Sequence, residues 1–313
     1  MKVVKPAKLN KGDIIGLISP ASSPDDLTRI ERAVKYFESV GYRVKPGKHL
    51  GKYHGYLAGT DEERLEDLHD MFGDKNVKAV ICLRGGYGSP RLLGKISYKI
   101  ISKNPKIFVG YSDITSLQMA FLARCGLVTF AGPMAAVDFH SSVEKYTEEI
   151  FWRMVTSDKA PGDFTPDEGR ETIFHGDKDT EGRIIGGNLA LFSASAGTPY
   201  LPSLKNKIVL TEDIGEPPYR IDRLLNQLML LKGWDRVNGL IAGVFSDSEE
   251  PDKEKRTLTA EEVFTDYFGR LNVPFVTNFP HGHIKRNHTI PFGINIKISP
   301  KKKRIRFLES AVI

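Results

Sequence analysis

Ile107-Phe-Val-Gly110-Tyr111-Ser112-Asp113-Ile114-Thr115 joins three signals in one short stretch. An apolar strand ends on a glycine, a serine follows two positions later, and helical periodicity begins at once. Such a turn presents a serine hydroxyl at the carboxyl edge of a parallel sheet, with the helix N-terminus favouring negative charge beside it. Ile114 stands where the lipase-type G-x-S-x-G has its second glycine, which argues against an ordinary α/β-hydrolase. A plainer role also fits, because serine and aspartate are both favoured helix N-caps.

Working outward, the first half alternates strand and helix signals. Strands are expected near residues 14–18, 42–44, 77–83, 107–110 and 127–130, with helices over 24–40, 60–72 and 114–124. This alternation predicts a flavodoxin-like parallel sheet covered on both faces. Residues 157–181, with Ser157-Asp-Lys-Ala-Pro161-Gly and Pro166-Asp-Glu-Gly169, are rich in turn formers and charges. They read as a linker between an N-terminal α/β domain (1–156) and a second domain (182–313). There, strands near 208–211, 240–245, 275–277, 295–298 and 304–308 outnumber helices, the clearest of which covers 218–231. A smaller, strand-rich α+β domain with more antiparallel pairing is expected.

Composition narrows the function classes. With 313 residues, 40% hydrophobic and 27% charged, the chain has the balance of a soluble globular protein, not of a disordered or fibrous one. No run approaches the ~20 apolar residues of a membrane span, and Met1-Lys-Val-Val-Lys-Pro lacks a signal-peptide core, so a cytoplasmic location without membrane partners is expected. Lys and Arg (45) exceed Asp and Glu (39) by 6, a scattered excess that gives no reason to expect nucleic acid. Its densest run, Lys301-Lys302-Lys303-Arg304, reads as the guard of an edge strand. Cys82 and Cys125 lie in apolar segments and read as buried free thiols.

Three further segments could carry chemistry. Arg84-Gly85-Gly86-Tyr87-Gly88-Ser89 follows the 77–83 strand, and its free backbone N–H groups could cradle an oxyanion or a carboxylate. Two turns at the carboxyl ends of parallel strands should face one crevice. Pro280-His281-Gly282-His283 lies in a loop, where an imidazole is freer to act as a base than on a helix face. The H-x-H spacing hints at metal, but no acidic or cysteine cluster completes a ligand set, and neither metal nor cofactor is expected. Glu212 and Asp213 end an apolar strand; Glu216 and Asp222, nearer the following helix, read as capping and i,i+4 partners.

Tyr56-Leu-Ala-Gly59-Thr-Asp-Glu-Glu-Arg64, Arg84-Gly-Gly-Tyr-Gly88, Gly110-Tyr-Ser-Asp113, Gly186-Gly-Asn-Leu189, Glu212-Asp through Tyr219-Arg-Ile-Asp-Arg223, and Gly282-His283 ahead of Pro291-Phe-Gly293 occur in this order. Together they resemble the serine LD-carboxypeptidase family, which includes muramoyl-tetrapeptide carboxypeptidases and microcin self-immunity peptidases. The resemblance implies an amidohydrolase with nucleophile Ser112, base His283 and orienting carboxylate Glu212. It also implies an oxyanion hole formed by the backbone N–H groups of Gly86 and Asp113. Arg84, with Gly85 beside it, would read the free carboxylate of a murein tetrapeptide, or Arg84 would serve as a structural ion pair. A homodimer is implied as well. Whether the third peptide residue is diaminopimelate or lysine is open. The competing readings are an immunity peptidase cleaving an aminoacyl-nucleotide amide and a non-enzymatic anion-binding module.

Overall fold

The computed structural model describes residues 2–164 and 169–313, so the Pro166-Asp-Glu part of the turn-rich stretch lies outside the described residues. The first half runs β1 (Ile14–Ile18), α1 (Thr28–Ser39), β2 (Arg43–Pro46), α2 (Asp61–Gly73), β3 (Val77–Cys82), α3 (Tyr98–Lys103), β4 (Ile107–Gly110), α4 (Thr115–Cys125), β5 (Thr129–Ala131) and α5 (Lys145–Thr156). Its strands stand in the order β2-β1-β3-β4-β5, all parallel, which is the expected flavodoxin-like arrangement. Both faces are covered. Ile18, Leu68, Val80, Phe108 and Phe121 pack on one side, and each fully buried phenylalanine contributes roughly 2–3 kcal/mol.

The remainder comprises β6 (Gly162–Asp163), β7 (Ile173–His175), β8 (Thr180–Asn188), α6 (Leu189–Ala194), β9 (Lys207–Ile214), α7 (Pro218–Met229), β10 (Gly239–Ser246), α8 (Ala260–Gly269), β11 (Phe275–Thr277), β12 (Ile290–Phe292), β13 (Asn295–Ser299) and β14 (Arg304–Phe307). The second sheet has the order β6-β14-β13-β8-β9-β10-β11-β7. Its centre, β8 to β11, is parallel, and only the flanks are antiparallel. The expected antiparallel character is therefore confined to the edges.

Three sequence expectations need correction. The 157–181 segment is no free linker: β6 and β7, which lie within it, form the two edges of the second sheet. Short edge strands bury little, so their sequence keeps the polar, turn-rich character of a connection. The boundary between the halves is also interlocked, because β12 pairs antiparallel with β5 and closes the first sheet. Finally, the lysine run does not guard an edge strand: it forms the turn between β13 and β14, and β6 covers β14. One hydrophobic core joins the halves, running from Ile15 and Phe130 through Ile185 and Leu210 to Phe307.

Candidate active site

Ser112 sits where the quoted stretch places it, at the carboxyl end of β4. Its φ is +62°, a left-handed conformation that costs a non-glycine residue roughly 1–2 kcal/mol. A Cβ on Gly110 would lie 2.8 Å from Ile114 Cγ2, so only glycine lets the chain fold back this tightly. The plain capping role fails: the N-cap of α4 is Ile114, with no side-chain cap. Asp113 instead turns inward, 1% exposed, and its carboxylate accepts from Gly88 N (3.2 Å) and Ser89 N (2.8 Å). It thereby ties the serine turn to the glycine loop.

That loop lies directly against Ser112. A Cβ on Gly85 would meet Ser112 Cβ at 2.9 Å, Ser112 Oγ at 3.1 Å and Asp113 N at 3.3 Å. Gly86 follows at φ +99°. Ser22, after β1, accepts from Tyr87 N at 3.1 Å and donates to Tyr56 O at 2.6 Å. Arg64, 1% exposed, donates to Pro20 O (2.6 Å) and Gly88 O (3.0 Å) and pairs with Asp61. Burying this guanidinium rigidifies the loop from behind, because Nη1 is directed at two backbone carbonyls and Nη2 at the Asp61 carboxylate. Arg84 projects beside the loop, 3.7 Å from the Asp25 carboxylate and 3.4 Å from Ser23 O.

Glu212 and His283 converge from the second half. Glu212, near the end of β9 and 0% exposed, accepts from His283 Nδ1 through Oε2 at 2.8 Å. An ionised carboxylate only accepts, so Nδ1 carries the hydrogen and Nε2 is left to accept a proton. Glycine makes the slot: at Gly282 (φ +140°) a Cβ would press on Glu212 Oε2 at 3.1 Å, and at Gly243 on Glu212 Cβ at 3.1 Å. Burial alone would lower the His283 pKa, but the Glu212 hydrogen bond and charge, aided by Asp213 and Asp138, hold it above the ordinary imidazole value. Tyr111 lies edge-on to the imidazole with ring centroids 5.2 Å apart.

His281 is different. It is 0% exposed, its Nδ1 bonds His288 O at 2.8 Å, and burial keeps it neutral. Glu216 pairs with Arg220 at 3.6 Å, and Asp222 accepts from Tyr267 Oη at 2.6 Å, so both are structural. Among the described residues, no group of three or more His, Cys, Asp or Glu side chains is disposed to hold a metal.

Arg84, Gly85, Gly86, Tyr111, Ser112 and His283 line one cleft of about 470 Å³ above the sheet edge. A larger hollow of about 610 Å³ between β10 and α8 contains none of the candidate residues. Sequence reasoning missed the ties that fix the cleft. Asn188 N donates to Thr115 Oγ1 at 3.0 Å, and Asn188 Nδ2 donates to Asp213 Oδ1 at 2.7 Å. These link the serine helix to the end of the Glu212 strand. Asn287 holds Gly282 N at 3.2 Å, while Thr147 on α5 accepts from Asn287 N at 2.8 Å and donates to Lys285 O at 2.6 Å. The Gly186-Gly-Asn-Leu189 motif, the Thr115 that ends the opening stretch and the Asp213 beside Glu212 are the sequence signals that touch these ties.

No helix among the described residues is long and apolar enough to cross a membrane. The sequence matches the LD-carboxypeptidase N-terminal domain over residues 15–132 and the LD-carboxypeptidase C-terminal domain over residues 181–298. It is 39% identical to the probable murein peptide carboxypeptidase of Bacillus subtilis (strain 168), over 96% of this chain and 92% of that protein. The fold superposes on wild-type microcin C7 self-immunity protein MccF in its apo state with a TM-score of 0.92 and 27% identity, covering 99% of this chain and 100% of that one. It also superposes on muramoyltetrapeptide carboxypeptidase from Oxalobacter formigenes with a TM-score of 0.82 and 31% identity, covering 94% and 97%. Two domain matches, together spanning most of the chain and containing the serine turn in one and the Glu212–His283 pair in the other, make this protein a member of the LD-carboxypeptidase family.

Proposed function

We propose that this protein is a serine-type carboxypeptidase that releases the terminal D-alanine from murein tetrapeptides by cutting the amide between an L-centred carbonyl and D-alanine. The observation that carries the reading is the 2.8 Å contact between His283 and buried Glu212, opening onto the cleft that also holds Ser112 in its left-handed turn. Ser112 Oγ attacks the carbonyl as His283 Nε2 takes its proton, and Glu212 stabilises the resulting imidazolium. The oxyanion falls to the backbone N–H groups of Gly86 and Asp113, each worth about 3–4 kcal/mol of barrier. His283 then protonates the departing D-alanine amine, and water hydrolyses the acyl-enzyme with His283 again as base. Arg84 takes the free carboxylate of the substrate, and Gly85 leaves room for the D-alanine. Action in the cytoplasm on recycled cell-wall peptides, as a homodimer, belongs to the same reading.

The close likeness to MccF, at a TM-score of 0.92, favours a second reading in which the same triad cleaves an aminoacyl-nucleotide amide. Mass spectrometry of the protein incubated with murein tetrapeptide and, separately, with an aminoacyl-nucleotide amide distinguishes the two. D-alanine release that persists in chelator and vanishes in Ser112→Ala is the expected result. Cleavage of the nucleotide amide alone establishes the second reading, and unchanged D-alanine release by Ser112→Ala eliminates both.

A further inference from the structure

Away from the cleft, the seam between the two halves holds a pair of cations that the proposed mechanism does not use. β8 and β9 run parallel with Arg183 directly opposite Lys207, so the two side chains stand side by side on one face of the sheet. Like charges in that register repel. Both residues are partly buried, and burial, followed by the charge of Arg183, holds the Lys207 ammonium below the ordinary lysine value. Lys207 makes no ion pair among the described residues, and its Nζ donates to Lys205 O at 3.3 Å. Arg183 directs Nη1 at Gly293 O at 2.7 Å. It lies 3.6 Å from Glu309, but that carboxylate is held more closely by Lys5 at 2.7 Å and by Asn295 N at 2.8 Å. The two cations form a wall shared by two hollows. One, of about 270 Å³, is faced by Leu122 at the end of α4, Ile185 on β8 and Leu201. The other is polar and edged by Asn206 and Asn238.

We propose that the hollow between α4 and β8 binds an amphipathic carboxylate, with its charged end held by Arg183 and Lys207 and its apolar body against Leu122, Ile185 and Leu201. Partly buried cations call for a counter-charge, and an apolar chamber beside them calls for a tail. The guanidinium fork and the ammonium together match the two oxygens of one carboxylate. Its charge also relieves the repulsion between the cations, a gain that an uncharged apolar molecule cannot supply. The volume of about 270 Å³ has room for roughly nine water-sized groups at ~30 Å³ each, which fits a short-chain fatty acid. This hollow shares no lining residue with the cleft that holds Ser112 and His283.

The test titrates the full-length protein at low salt with heptanoate, 1-heptanol and acetate, following the heat of binding. Heptanoate is expected to bind once per chain with a Kd of roughly 1 mM or tighter. Heptanol, which lacks the charge, and acetate, which lacks the tail, should each bind at least about tenfold more weakly. Lys207→Met keeps the stem and removes the charge, and should weaken heptanoate by about tenfold or more, while Lys207→Arg stays within about threefold. Ala123→Phe fills the hollow from α4 without removing either cation and should weaken heptanoate by a similar factor; thermal melting confirms that each variant folds. Arg84→Gln should bind heptanoate as the native protein does. No binding by the native protein, equal binding of heptanol, or unchanged binding by folded Lys207→Met or Ala123→Phe overturns the proposal. Loss of binding in Arg84→Gln overturns it too, because it places the carboxylate in the catalytic cleft.

Discussion

Replacing Glu212 by glutamine probes the proposed mechanism most sharply, because it keeps the shape of the side chain and removes its charge. In the native protein the carboxylate is fully buried and accepts from His283 Nδ1 at 2.8 Å. Protonated His283 cannot take the Ser112 proton, and Glu212 holds its pKa up, so kcat/KM should rise with pH through an apparent pKa above about 6.5. Without the carboxylate, burial dominates and the rising limb should move below that value. A hydrogen bond to a charged acceptor is worth roughly 1.5–3 kcal/mol and a neutral one about 1, so the direct loss is about 1–2 kcal/mol. The amide can also donate to Nδ1 and force the hydrogen onto Nε2, and a base in the wrong tautomer loses up to ~10⁴ in rate. Together these give a fall of roughly 10²–10⁴ in kcat with little change in KM. The assay is steady-state release of D-alanine across roughly pH 5–9, with thermal melting to confirm folding. A variant within threefold of native, or one whose rising limb stays at the native pH, would refute the assignment of Glu212 as the orienter of His283.

The strained turn predicts opposite outcomes for activity and stability. Ser112→Ala and Ser112→Gly should both lose at least about 10⁴ in rate, yet the glycine variant should be about 1 kcal/mol more stable in urea, since glycine adopts φ +62° freely. Equal stability of the two would show that the turn stores no strain. Gly85→Ala places a Cβ 2.9 Å from Ser112 Cβ, so kcat/KM should fall by about 10² or more at a stability cost of roughly 1–3 kcal/mol; near-native kinetics would mean the loop does not confine the serine. Burial raises the Cys82 thiol far above its ordinary value and pushes Cys125 up to about 11. Mass spectrometry after iodoacetamide treatment near pH 8 should therefore find Cys82 intact and Cys125 slow in the native protein, with both reacting promptly in denaturant. Prompt labelling of native Cys82 would contradict its burial.

The parts of this molecule legible in the sequence are those written in short, local patterns. A strand that stops at Gly110, a loop of glycines after β3, an acid at the end of β9 and a histidine beside Gly282 each announce themselves within a few residues. The sheet order of the first half follows from the same strand–helix alternation. What escaped depends on partners distant in sequence. Arg64 reads as one charge in a polar helix start, and nothing local says that it will be buried beneath the glycine loop. The parallel centre of the second sheet is hidden because β8, its strand beside β9, runs through Gly182, Gly186 and Gly187, which interrupt the apolar pattern of a buried strand. The edge strands β6 and β7 read as a linker because partnership on one side leaves their composition polar.

The most consequential of these hidden contacts explain how the two halves keep a common geometry. Thr115, three residues beyond Ser112, accepts from the backbone of Asn188, whose side chain bonds the residue next to Glu212. Thr147, on the last helix of the first half, bonds the backbone at Lys285 and Asn287, just beyond His283. Each tie runs from a threonine hydroxyl of the first half to main chain of the second, and each has one end within a few residues of Ser112 or His283, the two groups that the proposed mechanism brings to the substrate. Displacements of about 1 Å can cost on the order of 10² in rate. Register set by such backbone bonds does not depend on how the intervening 157–181 chain is arranged. None of the tying residues lines the cleft, so the ties hold the halves together while the space beside Arg84 and the glycine loop stays open to a substrate.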